Sequence, residues 1–322
     1  MNNPYPYSDT NKRYYTFDYY TKHRFGGKCG KAPLDIGCGC PNKDGTCGTG
    51  GCIYCRDGSR SAVGESIREQ YDHAAAVAAR KWKNLAGMIP YFQSGTNTYG
   101  DPARLTRAWE EAAALEGAVM IGIGTRADCL GSDVIEALCH LAERIPVTVE
   151  LGLQTAHDET ARRINRGYDH ARFLDGYTRL KTAADTLNGD SRKGYGRLSV
   201  GIHLINGLPG ENRTMMLETA EITASLQPDL VKIHLLHILR ETPMAALYEK
   251  GLYTPLERDE YCEIVCRQLE ILPEDTVIGR ITGDGMAEDL IAPQWSRRKT
   301  DVANTIDKMQ AAENLWQGKA CK

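Results

Sequence analysis

No stretch of the 322-residue chain stays apolar for the roughly 18 residues that crossing a bilayer requires. The opening segment, MNNPYPYSDTNKRYY, is polar and tyrosine-rich, and it lacks the apolar run of a secretory signal. A cytoplasmic protein with no membrane association is therefore expected. A surplus of either charge is also missing. Lys and Arg number 39 against 42 Asp and Glu, which removes any global case for nucleic-acid binding. Internal repeats and low-complexity tracts are absent, and the composition, 42% hydrophobic and 25% charged, is that of an ordinary globular protein. Length alone allows one domain or two, because single α/β barrels exceed about 200 residues.

Against that plain background the cysteines stand out. There are eleven, and five of them (Cys38, Cys40, Cys47, Cys52, Cys55) fall between positions 38 and 55, with Cys29 just upstream. In a reducing compartment such bunching points to metal binding or catalysis rather than to disulfides. Residues 1–31 form a second local anomaly. Lys12, Arg13, Lys22, Arg24, Lys28 and Lys31 face only Asp9 and Asp18, and six tyrosines are interleaved among them. Such a segment can hold a phosphate backbone and stack bases, or it can pack its tyrosines on the body of the protein.

Strand-length apolar runs lie at Pro33–Ile36, Met88–Phe92, Ala118–Ile123, Val147–Leu153, Leu198–Ile205 and Leu230–Leu236. Helical stretches separate them at Ser66–Leu85, Pro102–Leu115, Ser132–Glu143, Ala171–Leu187 and Glu211–Leu226. Strands alternating with helices predict a parallel sheet, and runs without polar alternation predict strands covered on both faces. Pro90 fits the second strand poorly because it cannot donate to a ladder. Past residue 240 the alternation stops; helices near 256–271 and 299–315 flank a loop-rich Ile281–Trp295. The expected organisation is a basic extension (1–31), a barrel core (32–240) and a helical C-terminal extension (241–322). Ligands of parallel α/β folds sit at the C-terminal ends of the strands. The loops at Gln93–Gly95, Gly124–Arg126, Gly152–Gln154 and Asn206–Gly210 are therefore the expected active face.

The cysteine loop follows the first strand. Two chemistries compete for it. Zinc takes four N/S ligands in a closed tetrahedron, which Cys38, Cys40, Cys52 and Cys55 could supply. A [4Fe–4S] cluster takes thiolates, and three of them leave one iron open to a substrate.

The arrangement Cys40-x11-Cys52-x2-Cys55, with Tyr54 before the last cysteine, resembles the radical S-adenosylmethionine (SAM) superfamily. The spacing differs from the commonest Cys-x3-Cys-x2-Cys. It is similar to the expanded loop of the branch near the Elongator catalytic subunit, and within it to the bacterial MnmL, YtqA and YhcC-type family. CPNKDG at 40–45, GGCIYC at 50–55, YFQSGTNTY at 91–99, GTRADCL at 124–130 and the stretch 150–170 carry the resemblance. So do 203–211, 232–239 and 282–299.

The resemblance implies a partial (βα)6 TIM-like barrel. It also implies a [4Fe–4S] cluster on Cys40, Cys52 and Cys55, and SAM chelated to the fourth iron and cleaved reductively to a 5′-deoxyadenosyl radical. By the same likeness SAM would meet Tyr54, Gly95, Thr96, Asn97, Glu150, Gln154, Arg166, Asn206 and Leu208. The loop at 94–97 departs from the Gly-Gly-Glu often found there, so backbone carbonyls with Thr96 or Asn97 would hold the SAM amino group. Arg126, His203, Lys232 and His234 are the expected substrate pocket. Each of these polar residues has a structural alternative, an ion pair or a satisfied core group. The implied electron source is a flavodoxin or ferredoxin, and the implied substrate is tRNA at the wobble-uridine side chain (carboxymethylaminomethyl- to aminomethyl-type processing). A small-metabolite or protein substrate, and a non-catalytic zinc-binding module, are the rival classes. Cys38 and Cys47 stand outside the three-ligand pattern.

Overall fold

The computed structural model describes residues 3–56, 65–189, 196–283 and 288–321. Seven parallel strands form one sheet in the order β1-β2-β3-β4-β5-β6-β8. They are β1 (Cys29–Leu34), β2 (Gly87–Phe92), β3 (Ile121–Thr125), β4 (Val147–Gln154), β5 (Leu198–Asn206), β6 (Leu230–Leu235) and β8 (Val277–Arg280). Two short strands, β7 (Ile238–Leu239) and β9 (Leu290–Ala292), pair antiparallel beyond the sheet. The sheet curls into the expected partial barrel. Flat strands spaced about 4.8 Å apart would put β1 and β6 some 24 Å from each other. Yet the side chains of Lys31 on β1 and Lys232 on β6 interact directly.

Helices fill the crossovers where the periodicity predicts them. They are α2 (Ile67–Lys81), α3 (Pro102–Ala113), α4 (Ser132–Ala142), the short α5 (Asp158–Arg163) with α6 (His170–Asn188), and α7 (Arg213–Ser225). Their starts are written locally. Ser66 and Glu69 close a capping box on α2, and Asp101 caps α3 just ahead of Pro102. Asp169 and Asn212 cap α6 and α7 through Arg172 and Met215 N–H groups. Phe92, Leu105, Trp109, Ile121, Leu138 and Phe173 are among the largest side chains buried between these helices and the sheet. No helix among the described residues is long and apolar enough to cross a membrane.

Two boundaries differ from the sequence expectation, and Pro90, which fitted its strand poorly, is kept. β1 starts at Cys29, earlier than Pro33, because Gly30 and Lys31 interrupt its apolar pattern. Pro90 is accommodated by where the ladder opens. The Met88 N–H and C=O both pair toward Gly117 and Val119, so the Pro90 nitrogen faces the same side, and pairing with β3 resumes at Tyr91. β8 falls within the segment expected to be a helical extension; at four residues, Val-Ile-Gly-Arg is too short to register as an apolar run. The rest of that segment supplies α8 (Pro243–Glu249), α9 (Arg258–Ile271) and α10 (Lys299–Ala312). Residues 284–287 of the loop-rich stretch lie outside the described residues.

The tyrosine-rich N-terminus, which includes α1 (Phe17–Phe25), packs its rings inward. Tyr5, Tyr14, Tyr15 and Tyr20 are buried, and Thr16 bridges Ile278 at the β8 edge. Three of its six cations are ion-paired among the described residues: Lys12 with Asp307, Lys22 with Asp9 and Asp18, Lys28 with Asp18. Of the two readings offered for this segment, packing on the body accounts for these rings and charges.

Candidate active site

The cysteine loop leaves β1 and crosses the C-terminal ends of the strands. Two asparagines clamp it. Asn42 donates from Nδ2 to the Asn165 carbonyl at 2.6 Å, and Asn165 donates back to the Thr49 and Gly51 carbonyls at 3.0 and 2.7 Å. Backbone bonds from Thr96 to Gly39, Ile53 to Ile164 and Met244 to Ile53 tie it to the neighbouring loops. Gly95 carries φ +71°, and a Cβ there would collide with the Cys38 carbonyl. The SGTN loop is thus pressed directly onto the cysteine loop.

Within this frame the thiols divide. The Cys52 and Cys55 sulfurs are hydrogen-bonded to each other, and Cys40 is close enough to Cys55 to act on its charge. Cys52 is drawn down to about 6 by the Cys55 thiol, helped by Tyr54, Arg126 and Asn42, whereas Cys55 is pushed up. Cys38 turns the other way: it packs with Ile36 against the hydrophobic core, and burial raises its thiol to about 11. Cys47 faces the Arg126–Asp128 pair, with Arg126 Nη2 at 3.6 Å from its sulfur. Among the described residues no three His, Cys, Asp or Glu side chains converge on a single-ion position.

Below the loop, the barrel interior holds a polar cluster in an otherwise apolar sheet. Glu150 on β4 accepts from the Tyr91 hydroxyl at 2.8 Å and from His203 Nε2 at 2.5 Å, and it is ion-paired with Lys232. Lys232 also donates to the Tyr91 oxygen at 2.9 Å. Burial alone would raise the Glu150 carboxyl, but Lys232 and His203 hold it well below its ordinary value. The same burial lowers Lys232 and His203. Lys31 adds a second lysine, over the Tyr91 ring, and burial beside Lys232 pushes it down to about 7. The likeness placed Glu150 at SAM; here its Oε2 is bonded by Tyr91, His203 and Lys232 within the barrel.

A cavity of about 200 Å³ opens above this cluster, lined by Tyr54, Gln154, His203, His234 and His237 among others. It brings together residues that the sequence assigned separately to SAM and to substrate. The Tyr54 hydroxyl bonds the Cys52 sulfur, and Leu208 packs against Ile53 and Tyr54 in one apolar cluster. Other expected ligands have partners within the fold. Arg166 is buried and donates to the carbonyls of Leu153, Thr155 and Tyr168, which fixes the end of β4. Asn206 exchanges two 2.8 Å bonds with Gln268 of α9. Arg126 grips Asp128 with two 2.9 Å bonds and the Arg166 carbonyl with a third. Lys31, Tyr91, Asn42 and Gln268 were missed as site-building residues. A Lys and a Tyr inside apolar strands were the available signal for the first two.

Residues 36–222 match the model of the radical SAM superfamily, and residues 228–311 match the radical SAM C-terminal domain. The chain belongs to the radical SAM superfamily. It is 42% identical to the uncharacterized protein YtqA of Bacillus subtilis (strain 168), over 99% of this chain and 96% of that one. It is 35% identical to protein YhcC of Escherichia coli (strain K12), over 88% of each. Among solved structures its fold is similar to the archaeal Methanocaldococcus infernus Elp3 with an N-terminal deletion, with TM-score 0.61 and 19% identity. That match covers 78% of this chain and 59% of the archaeal one, so the chain spans little more than half of it.

Radical SAM enzymes use a [4Fe–4S] cluster and SAM, and they need a reductant. The residues present fit both groups. The donor set is all sulfur, the usual ligand of iron–sulfur clusters, with Cys38 packed against the core and Cys40, Cys52 and Cys55 near one another. The acceptors Asn97 Oδ1 and Gln154 Oε1 are buried without a partner. They suit a ligand rich in donors, as the ammonium and ribose hydroxyls of SAM are. Asn97 is held in place by its Nδ2, which donates to the Gly124 carbonyl at 2.9 Å.

Proposed function

We propose that this radical SAM enzyme holds its cluster on Cys40, Cys52 and Cys55 and acts on the wobble-uridine side chain of tRNA. The gathering of those thiols against Tyr54, at the mouth of the strand-end cavity, carries the first part. When bound, the cluster supplies the electron that cleaves SAM. The chain's own residues do the rest. Tyr54 presents its ring beside the cysteines, Asn97 and Gln154 offer acceptors to SAM, and Gly95 lets the SGTN loop approach closely enough to do so. Leu208 closes one side with an apolar contact. His203, Lys232 and His234 belong to the wall on which the substrate is presented, with Glu150 fixing the first two. Burial keeps His203 and His234 neutral, so neither brings a proton to the site as a cation. Arg126, Arg166 and Asn206 serve the site by holding its loops.

The tRNA assignment is supported by the ordered motifs from 40 to 299 that resemble the wobble-uridine family. Mass spectrometry of tRNA nucleosides from a strain lacking this gene tests it. Loss of the aminomethyl-type wobble uridine with build-up of its carboxymethylaminomethyl precursor is expected; an unchanged profile would sink the substrate and favour a small metabolite or protein. Reduction by a flavodoxin or ferredoxin is part of the same reading.

A further inference from the structure

The wall of the strand-end cavity is incomplete in a specific way. His234 at the end of β6 and His237, three residues on, both line it, and the Nε2 atom of each is buried with no hydrogen-bond partner. A buried polar atom left unpaired destabilises the fold. Two such atoms beside one cavity mark a place where a ligand completes the bonding.

The surroundings decide which chemistry completes it. Both rings stay neutral: burial holds each below its ordinary value, helped by His203, Arg280 and Lys232 at His234 and by Lys299 and Arg280 at His237. A neutral imidazole carries its proton on either nitrogen, and in the Nε2–H form each ring donates to an accepting ligand; the charge around the cavity selects between the two forms. Beneath the cavity Lys31 and Lys232 share one carboxylate, Glu150, whose Oε2 already meets Tyr91, His203 and Lys232. Two lysines against one glutamate leave a positive field, which penalises a cation and favours an anion. His203 connects the two levels, since it lines the cavity and bonds Glu150. His234 lies against it, ring centroids 5.1 Å apart. A volume of about 200 Å³ admits a carboxylate on a short arm.

We propose that this cavity receives a carboxylate of the substrate, bound by His234 and His237 in the field of Lys232 and Lys31. The inference rests on the strand-end cavity being where the substrate is presented. It deepens that reading, because a carboxymethylaminomethyl side chain ends in such a group. The depressed Lys31 agrees with it: an arriving anion restores the full charge that burial beside Lys232 weakens.

Calorimetric titration of the anaerobically reconstituted full chain, saturated with SAM, tests the inference with acetate, acetamide and methylammonium as probes. Acetate is expected to bind at least about tenfold more tightly than acetamide, with no detectable methylammonium binding. His234→Phe and His237→Phe should each weaken acetate about fivefold or more, while SAM affinity by equilibrium dialysis moves less than about twofold. His→Gln versions of both, checked for iron content and circular dichroism, guard against a variant that fails only by misfolding. Acetate binding no better than acetamide, including no binding at about 100 mM, would overturn the proposal, as would a double variant that binds acetate like the parent. SAM cleavage measured on the same preparations reports the proposed function separately: discrimination between the probes survives if only that reading fails.

Discussion

Glu150 shows how a single residue is made to stay charged inside an apolar sheet. Its carboxylate is worth keeping only with Tyr91, His203 and Lys232 around it, and removing the charge strands a buried lysine. Glu150→Gln is therefore expected to cost about 3–5 kcal/mol in urea unfolding, more than a typical surface substitution. The pH dependence follows from the directions of the shifts. A carboxyl held below its ordinary value stabilises the fold above that ordinary value, near 4.5, and the contribution fades as pH falls toward the folded value. Lys31 tilts stability in the same direction at the alkaline end. Between about 7 and its ordinary 10.5 the unfolded chain holds a proton that the folded chain has released, so stability rises with pH across that window. Lys31→Met should flatten the rise, read from urea midpoints at pH 7 and pH 10; an unchanged slope would mean the lysine is not shifted.

At the scale of elements, the clamp between Asn42 and Asn165 holds the cysteine loop to the turn after α5. Asn165→Ala should lower iron bound per chain on reconstitution by about half or more while the barrel's far-ultraviolet circular dichroism is kept, because only a surface turn loses its bonds. Wild-type iron content in that variant would count against the clamp. Much of this level was legible in the sequence for physical reasons. Strands buried on both faces read as unbroken apolar runs, and five crossover helices read as the longer amphipathic stretches between them. What stayed hidden was non-local or short. β8 is four residues long, Lys31 broke the pattern of β1, and the partner of Asn206 is Gln268, on α9. Cys38 was unreadable for a related reason. Spacing puts it beside Cys40, but only the fold turns its sulfur into the core.

The whole molecule is closed by its two ends. Gln317 accepts from the Tyr15 N–H at 2.8 Å, donates to the Pro273 and Thr276 carbonyls, and its own backbone N–H reaches Arg13. This seam lies along β8, the edge of the barrel sheet, which Thr16 also covers. Gln317→Ala removes the side-chain partner of the Tyr15 N–H and the Thr276 carbonyl, while the Pro273 carbonyl keeps the Thr276 N–H, and should destabilise the chain by about 2 kcal/mol in urea unfolding; a loss under about 1 kcal/mol would show that the ends are not riveted there. The curl that this seam completes lets side chains from β1, β2, β4, β5 and β6 meet under one cysteine loop. The central claim, three thiolates presenting SAM at the mouth of that barrel, is tested most directly by anaerobic reconstitution with iron and sulfide, followed by dithionite and SAM. The account predicts a loaded [4Fe–4S] cluster and 5′-deoxyadenosine in the parent, and neither in Cys52→Ala. A loaded parent that forms no 5′-deoxyadenosine, or a Cys52→Ala variant that still does, would contradict it.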